Sequence, residues 1–307
     1  MTQGDLSARL AGVFAPICTP FTQDEEVDDR SLAFNLDRYA GSGILGYLAL
    51  GSNGENRSLS EEEKRHVLDI VVRHRGRGQV VMAGTAYDGQ RQAETFLAEA
   101  ADLGADFGLV LAPGYFRRQM TDDVLLRYFS SLADGSRLPL LLYNAPAFCG
   151  VTLSPGLVAR LSAHPNIVGM KDSASSGIED FLPFESPTFH VLAGSANFLF
   201  PAMLGGALGG TVSLANSFPG VALQLFAYGL ARDTTLGPPY QEWVTRVNTA
   251  ISGRYGVAGV KAAMSLAGFR AGVPRRPLLA LDPGQLAELR DVLDREGLLE
   301  SAAAAGP

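Results

Sequence analysis

Eight short apolar runs recur along the 307 residues, each followed by a helix-like amphipathic segment, and this alternation narrows the choice of fold more than any other feature. The runs are residues 12–17, 46–50, 79–84, 107–112, 139–143, 167–171, 189–194 and 209–214. They are short and apolar on both faces, the pattern of parallel strands buried between helices and a core. Between them, Ser60-Glu-Glu-Glu63 is a capping box that predicts a helix to residue 75. Ser154-Pro155 gives a second helix its cap and its first-position proline. Further helices are expected at 28–40, 89–103, 121–133, 197–204 and 219–231. Strand then helix, eight times at spacings of roughly 20 to 34 residues, has the size of a (β/α)8 barrel, a TIM barrel of the α/β class. A doubly wound open sheet is the competing architecture. Its G-x-G-x-x-G fingerprint after the first strand is missing, because residues 12–20 run on into Phe21.

After the eighth helix, Pro238-Pro239 breaks the chain, so residues 1–235 are read as the barrel and 236–307 as a C-terminal helical extension. Helices are expected there at 240–252, 257–267 and 283–296, with residues 301–307 floppy. Residues 186–231 contain no Asp, Glu, Lys or Arg. Gly194, Asn197, Pro201, Gly205, Gly209, Asn216 and Pro219 interrupt them, which favours buried soluble structure over a membrane span. The helix expected at 197–204 is uncharged on every face and would suit the outer ring of a monomer poorly, so it is expected to pack against another subunit.

With 47% hydrophobic and 19% charged residues, a packed core is feasible. A net charge of -7, with arginines scattered rather than striped, leaves no footprint for a nucleic-acid partner. Cys18 and Cys149 do not make a disulfide framework, and the N-terminus lacks the pattern of a signal peptide, so a cytoplasmic protein is expected. His66, His74, His164 and His190 lie far apart without metal-ligand spacing, which speaks against a metal-dependent barrel enzyme.

The basic residues bear on chemistry. Of 25, only Lys64, Lys171 and Lys261 are lysine, and lysine alone forms an imine with a carbonyl. Lys64 sits between Glu63 and Arg65 and is expected on a helix surface; Lys261 falls in the tail, away from any strand end. Lys171 ends the sixth run, at the barrel end where catalytic groups gather. Desolvation there lowers an amine's pKa toward the range where it attacks carbonyls, although position alone equally fits a lysine that reaches solvent. Tyr143 ends the fifth run and is placed to pass protons, or to plug the barrel mouth. The loop Gly51-Ser-Asn-Gly-Glu55 offers hydroxyl, amide and main-chain N–H groups to a carboxylate, or is merely a turn.

Three motifs, Gly51-Ser-Asn-Gly-Glu55, Tyr143-Asn-Ala-Pro146 with Gly150, and Gly169-Met-Lys-Asp-Ser173, resemble in order and position those of the pyruvate-dependent class I aldolases of the dihydrodipicolinate synthase and N-acetylneuraminate lyase family. Residues 16–21, 192–195 and 254–256 and Lys261 extend the resemblance over nearly the whole chain. Within the family it is strongest toward the 4-hydroxy-2-oxoglutarate aldolases, through residues 164–173, the Ser-Asn form of the loop, and Pro113-Gly-Tyr-Phe-Arg117 with Met120.

The resemblance implies a Schiff-base lysine at Lys171, a proton shuttle at Tyr143, and carboxylate binding with hydroxyl relay by Ser52 and Asn53. It implies Ser173, Gly194 and Thr211 lining the pocket, and Tyr115 reaching a neighbouring subunit's site in a homo-oligomer, a tetramer built as a dimer of dimers. It implies pyruvate and a small 2-oxo acid or aldehyde as reactants, with neither metal nor organic cofactor. Dihydrodipicolinate synthases carry an arginine where this chain has Phe148, and threonine where it has Asn53. Both differences favour cleavage of a 4-hydroxy-2-oxo acid over condensation of pyruvate with aspartate semialdehyde. That synthase reaction and the aldolases of deoxy sugar acids or N-acetylneuraminate remain alternatives. For a substrate with a distal carboxylate, Arg57, Arg117, Arg118 and Arg254 are the candidate loop cations.

Overall fold

A computed structural model describes residues 3–299. The expected floppy segment 301–307 lies outside the described residues. Eight parallel strands close into a barrel in chain order: β1 Val13–Pro16, β2 Gly46–Ala49, β3 Val80–Thr85, β4 Phe107–Leu111, β5 Leu140–Asn144, β6 Ile167–Asp172, β7 His190–Ala193 and β8 Gly209–Thr211. Every strand residue is buried, because the barrel interior takes one face of each strand and the helical ring the other.

The helices are α1 Gln3–Leu10, α2 Asp29–Ala40, α3 Glu61–His74, α4 Gln90–Leu103, α5 Asp122–Gly135, α6 Pro146–Cys149, α7 Pro155–Leu161, α8 Leu199–Leu204, α9 Pro219–Leu230, α10 Gly237–Asn248, α11 Arg254–Leu266 and α12 Pro283–Arg295. The expected caps are formed. Ser60 accepts from the Glu63 N–H while Glu63 accepts from the Ser60 N–H, and Ser154 accepts from the Leu157 N–H above Pro155.

Four local expectations are corrected. Helix α1 was not read from the sequence; it buries Leu6 and Leu10 and covers the N-terminal end of the barrel, where Ser7 meets His190 at the start of β7 and Arg9 pairs with Asp106 before β4. Between β6 and β7 the chain makes two short turns, Ile178–Asp180 and Leu182–Phe184, in place of a helix. The chain does break between α9 and α10, but Pro238 and Pro239, expected ahead of the tail helix at 240, lie in the first turn of α10, where missing N–H groups cost little. The tail helices expected at 240–252 and 257–267 join through a wide turn at Thr249–Gly253, with a kink at Gly256, whose φ of 56° only glycine adopts freely.

The uncharged segment 197–204 splits into a turn, Ala196–Phe198, and α8, and its cover comes from its own chain. Buried Gln241 on α10 accepts from the Phe200 N–H (3.0 Å) and donates to the Ala196 carbonyl (2.8 Å). Asn248 donates to Asn197 Oδ1 (2.8 Å), and α9 packs alongside. Within the chain, Leu199, Phe200, Ala202 and Met203 of α8 are buried, with α9 and α10 packed against it. Among the described residues, no helix is long and apolar enough to cross a membrane.

Candidate active site

At the C-terminal end of the barrel lies a cavity of about 550 Å³. Lys171 and Tyr143 meet in it because of a single irregularity. Strands β5 and β6 begin their pairing with Leu140 opposite Ile167, but the register shifts after Leu140, so that Tyr143 faces Lys171 rather than Met170. Without that one-residue shift, lysine and tyrosine would point to opposite sides of the sheet. As built, Lys171 Nζ stands 4.6 Å from the centre of the Tyr143 ring, and both residues are buried. Among the described residues, no carboxylate pairs with this amine.

The next residue, Asp172, points the other way. It is fully buried, accepts from Asn144 Nδ2 (2.6 Å) and the Ala174 N–H (3.3 Å), and burial pushes its carboxyl up to about 6 against those bonds. Asn144 in turn accepts from the Leu153 N–H (3.0 Å), and its carbonyl accepts from the Ser173 N–H (2.8 Å). This Asn144–Asp172 clamp fixes the two strand ends that carry Tyr143 and Lys171.

The Gly51–Glu55 loop forms a second wall. Leu50 and Glu55 bracket it in left-handed backbone conformations, φ 58° and 53°, which cost non-glycine residues free energy. Its form is held from below: Thr19 donates to the Gly54 carbonyl (2.8 Å), and Asn56 donates to the carbonyls of Leu50 (2.9 Å) and Gly84 (3.1 Å). Among the described residues, the backbone N–H groups of Ser52 and Asn53 donate to no main-chain acceptor, so both remain available to an anion. Asn53 Nδ2 donates to Ser213 Oγ (2.8 Å), which braces the loop against the segment after β8. Ser173 supplies a buried hydroxyl that has no partner among the described residues. Gly194 follows β7 so closely that a Cβ there would strike Ser173 Oγ and the Asp172 carbonyl; glycine leaves the space open.

The family model of the dihydrodipicolinate synthetase family matches residues 9–296. The chain belongs to that family. It is accordingly a pyruvate-dependent aldolase or lyase of the class I type. It is 32% identical to the 4-hydroxy-tetrahydrodipicolinate synthase of Methanothrix thermoacetophila, over 92% of this chain and 96% of that one. It is 30% identical to the probable mitochondrial 4-hydroxy-2-oxoglutarate aldolase of Emericella nidulans, over 95% and 96%. Two solved structures with pyruvate bound share the fold at 28% identity. YagE, a prophage protein of the dihydrodipicolinic acid synthase family from E. coli K12, has a TM-score of 0.87 over 94% of this chain and 99% of that one. The chloride inhibited dihydrodipicolinate synthase of Acinetobacter baumannii has 0.89 over the same shares.

Of the residues singled out in the sequence, Lys171, Tyr143, Ser52, Asn53, Ser173 and Gly194 line the cavity together, with Phe148 and Arg57. Thr211 ends β8, fully buried, outside that lining. Tyr115 stands outside as well, 80% exposed and edge-on to the Phe116 ring. The other two lysines depart from expectation, since both are buried. Lys64 is buried, its ammonium over the Tyr87 ring (4.4 Å) and paired with Glu61 (2.7 Å), because Tyr87 and Glu61 offer it partners beneath the helix face.

Lys261 is not remote from the strand ends. Its ammonium lies 2.5 Å from Glu55 Oε1, donates to the Val273 carbonyl (2.7 Å), and sits over the Phe21 ring. Burial lowers its pKa, against the pull of Cys18 and Glu55, and burial pushes the neighbouring Cys18 thiol up to about 12. Glu55 also accepts from the Arg275 N–H (2.9 Å), and the Arg275 guanidinium is paired with Glu63 and donates to the Ser58 carbonyl (2.8 Å). Glu55, Asn144, Asp172 and Ser213 had no sequence signal of their own beyond membership of the three motifs or nearness to a strand end.

Proposed function

We propose that the protein reversibly cleaves a 4-hydroxy-2-oxo acid through a lysine imine, with 4-hydroxy-2-oxoglutarate as substrate and pyruvate and glyoxylate as products. The observation that carries the reading is a buried amine, Lys171, with no ion pair among the described residues, standing 4.6 Å from the centre of the Tyr143 phenol ring in a cavity walled by an anion-ready loop. The neutral amine of Lys171 attacks C2, and the 2-oxo oxygen leaves as water after proton transfer through Tyr143. The substrate's own carboxylate is received by Ser52 and Asn53, whose free N–H groups lie at the required wall. With the iminium as electron sink, loss of the C4 hydroxyl proton to Tyr143 breaks C3–C4 and releases the aldehyde. Protonation of the enamine at C3 and hydrolysis then return pyruvate and the free lysine.

Phe148 supports the choice among family reactions. It lines the cavity where the synthases carry an arginine, and a phenyl ring makes no bidentate contact with a carboxylate. Tyr115, exposed beside Phe116, suits a homo-oligomer in which it completes a neighbour's site. Borohydride with pyruvate is expected to add mass to the peptide bearing Lys171, and an unmodified peptide sinks the imine. Cleavage of 4-hydroxy-2-oxoglutarate is to be assayed beside condensation of pyruvate with aspartate semialdehyde. Product from the second alone restores the synthase reaction.

A further inference from the structure

Two cationic residues line the cavity, and the mechanism above uses only Lys171. The other is Arg57, in the short turn Asn56–Ser58 that follows Glu55. Its backbone is therefore carried by the same loop that presents Ser52 and Asn53, fixed by the Asn56 bonds and the Glu55–Lys261 pair. The third charged residue of the lining, Glu55, is cancelled by Lys261.

The Arg57 guanidinium is 56% exposed at the mouth and makes one ion pair, Nη1 to Asp88 Oδ2 at 3.2 Å. Asp88 is committed elsewhere, since its Oδ1 accepts from the Gly114 (2.7 Å) and Tyr115 (3.0 Å) N–H groups. One long contact orients the guanidinium without saturating it, and the remaining donors of its planar fork are free to grip a carboxylate. The other arginine candidates are less suited. Arg254 is bound to Glu288 (2.6 Å), and neither it nor Arg117 nor Arg118 lines the cavity.

We infer that Arg57 is the residue that binds the distal carboxylate of the proposed substrate and so selects for an acidic aldehyde half. The inference rests on the imine reading, which places the 2-oxo group at Lys171 and the far end of the molecule toward the mouth.

The test compares affinities, by calorimetry, for 2-oxoglutarate and for 5-methyl-2-oxohexanoate, which carries an isopropyl group in place of the distal carboxylate. Wild type, Arg57→Met and Arg57→Lys are each titrated, with pyruvate as a control. Wild type is expected to prefer 2-oxoglutarate, and Arg57→Met to lose about tenfold of that preference, the scale of a charge-assisted contact at a half-exposed site. Arg57→Lys keeps part of it, and pyruvate affinity holds in all three proteins, which also shows that the variants fold. An unchanged preference, an equal loss for both ligands, or a wild type indifferent to the distal carboxylate overturns the inference. The imine reading fails by a different result, the absence of a borohydride adduct on Lys171. The two ligands share the same 2-oxo group, so any imine with Lys171 contributes alike to both and cancels in the affinity ratio, and the two failures are distinct.

Discussion

Two buried lysines stand at the same end of the barrel and are treated in opposite ways. Lys261 is enclosed by Glu55, the Val273 carbonyl and the Phe21 ring, and its charge is met on each side. Lys171 has the Tyr143 ring and an open cavity, with no carboxylate among the described residues paired to it. A paired ammonium holds structure together but keeps its lone pair occupied by a proton. An unpaired one gains nothing for the fold and stays available for bond formation. The contrast separates the residue that shapes the site from the residue that reacts in it.

The comparison breaks most sharply at Lys171. Lys171→Met is expected to lower turnover about 10⁴-fold or more with no loss of stability, read by steady-state cleavage beside urea unfolding. Equal loss in both would make Lys171 structural. Lys261→Met should behave in reverse, costing about 3–5 kcal/mol of unfolding free energy because it strands a buried carboxylate. Pairing it with Glu55→Gln should recover part of that cost, and a double variant no more stable than the single would refute the pair.

Tyr143→Phe keeps the ring over Lys171 but removes the proton carrier. Turnover is expected to fall about 10²-fold, while pyruvate still traps on Lys171 given longer exposure to borohydride. Undiminished turnover would reduce Tyr143 to an aromatic plug.

The smallest effect concerns Asp172. Burial lifts its pKa from 3.8 to about 6, so the folded state holds a proton that the unfolded chain releases. Stability should therefore decline as pH rises from about 4 to about 6 and level off above. Asp172→Asn removes that contribution, worth about 1–3 kcal/mol across the window, and urea midpoints at pH 4 and 7 for both proteins measure it. Parallel pH profiles would mean that Asp172 titrates normally.

The barrel was legible because its strands are buried on both faces and so stand out as apolar runs. Lys171, Tyr143 and the Gly51–Glu55 loop were legible because strand ends mark the mouth. The shift after Leu140 that brings Tyr143 and Lys171 to one face leaves no mark in Leu-Leu-Leu or Ile-Val-Gly, since either register buries apolar side chains. The roles of Lys64 and Lys261 escaped for a related reason. Burial of each depends on a partner distant in sequence, Tyr87 beside Lys64 and Glu55 beside Lys261, and a local pattern of charges cannot report them. The cover over α8 was likewise invisible, because it comes from Gln241 and Asn248 in a tail that reads as an ordinary amphipathic helix.

The Glu55–Lys261 pair also sets an order of events during synthesis. Translation delivers Glu55 early and Lys261 only after all eight strands have emerged. Until then Glu55 lacks the ammonium that pairs with it in the folded chain. The anion-receiving loop thus gains the buried counter-charge of Glu55 about 200 residues of synthesis after the loop itself is made.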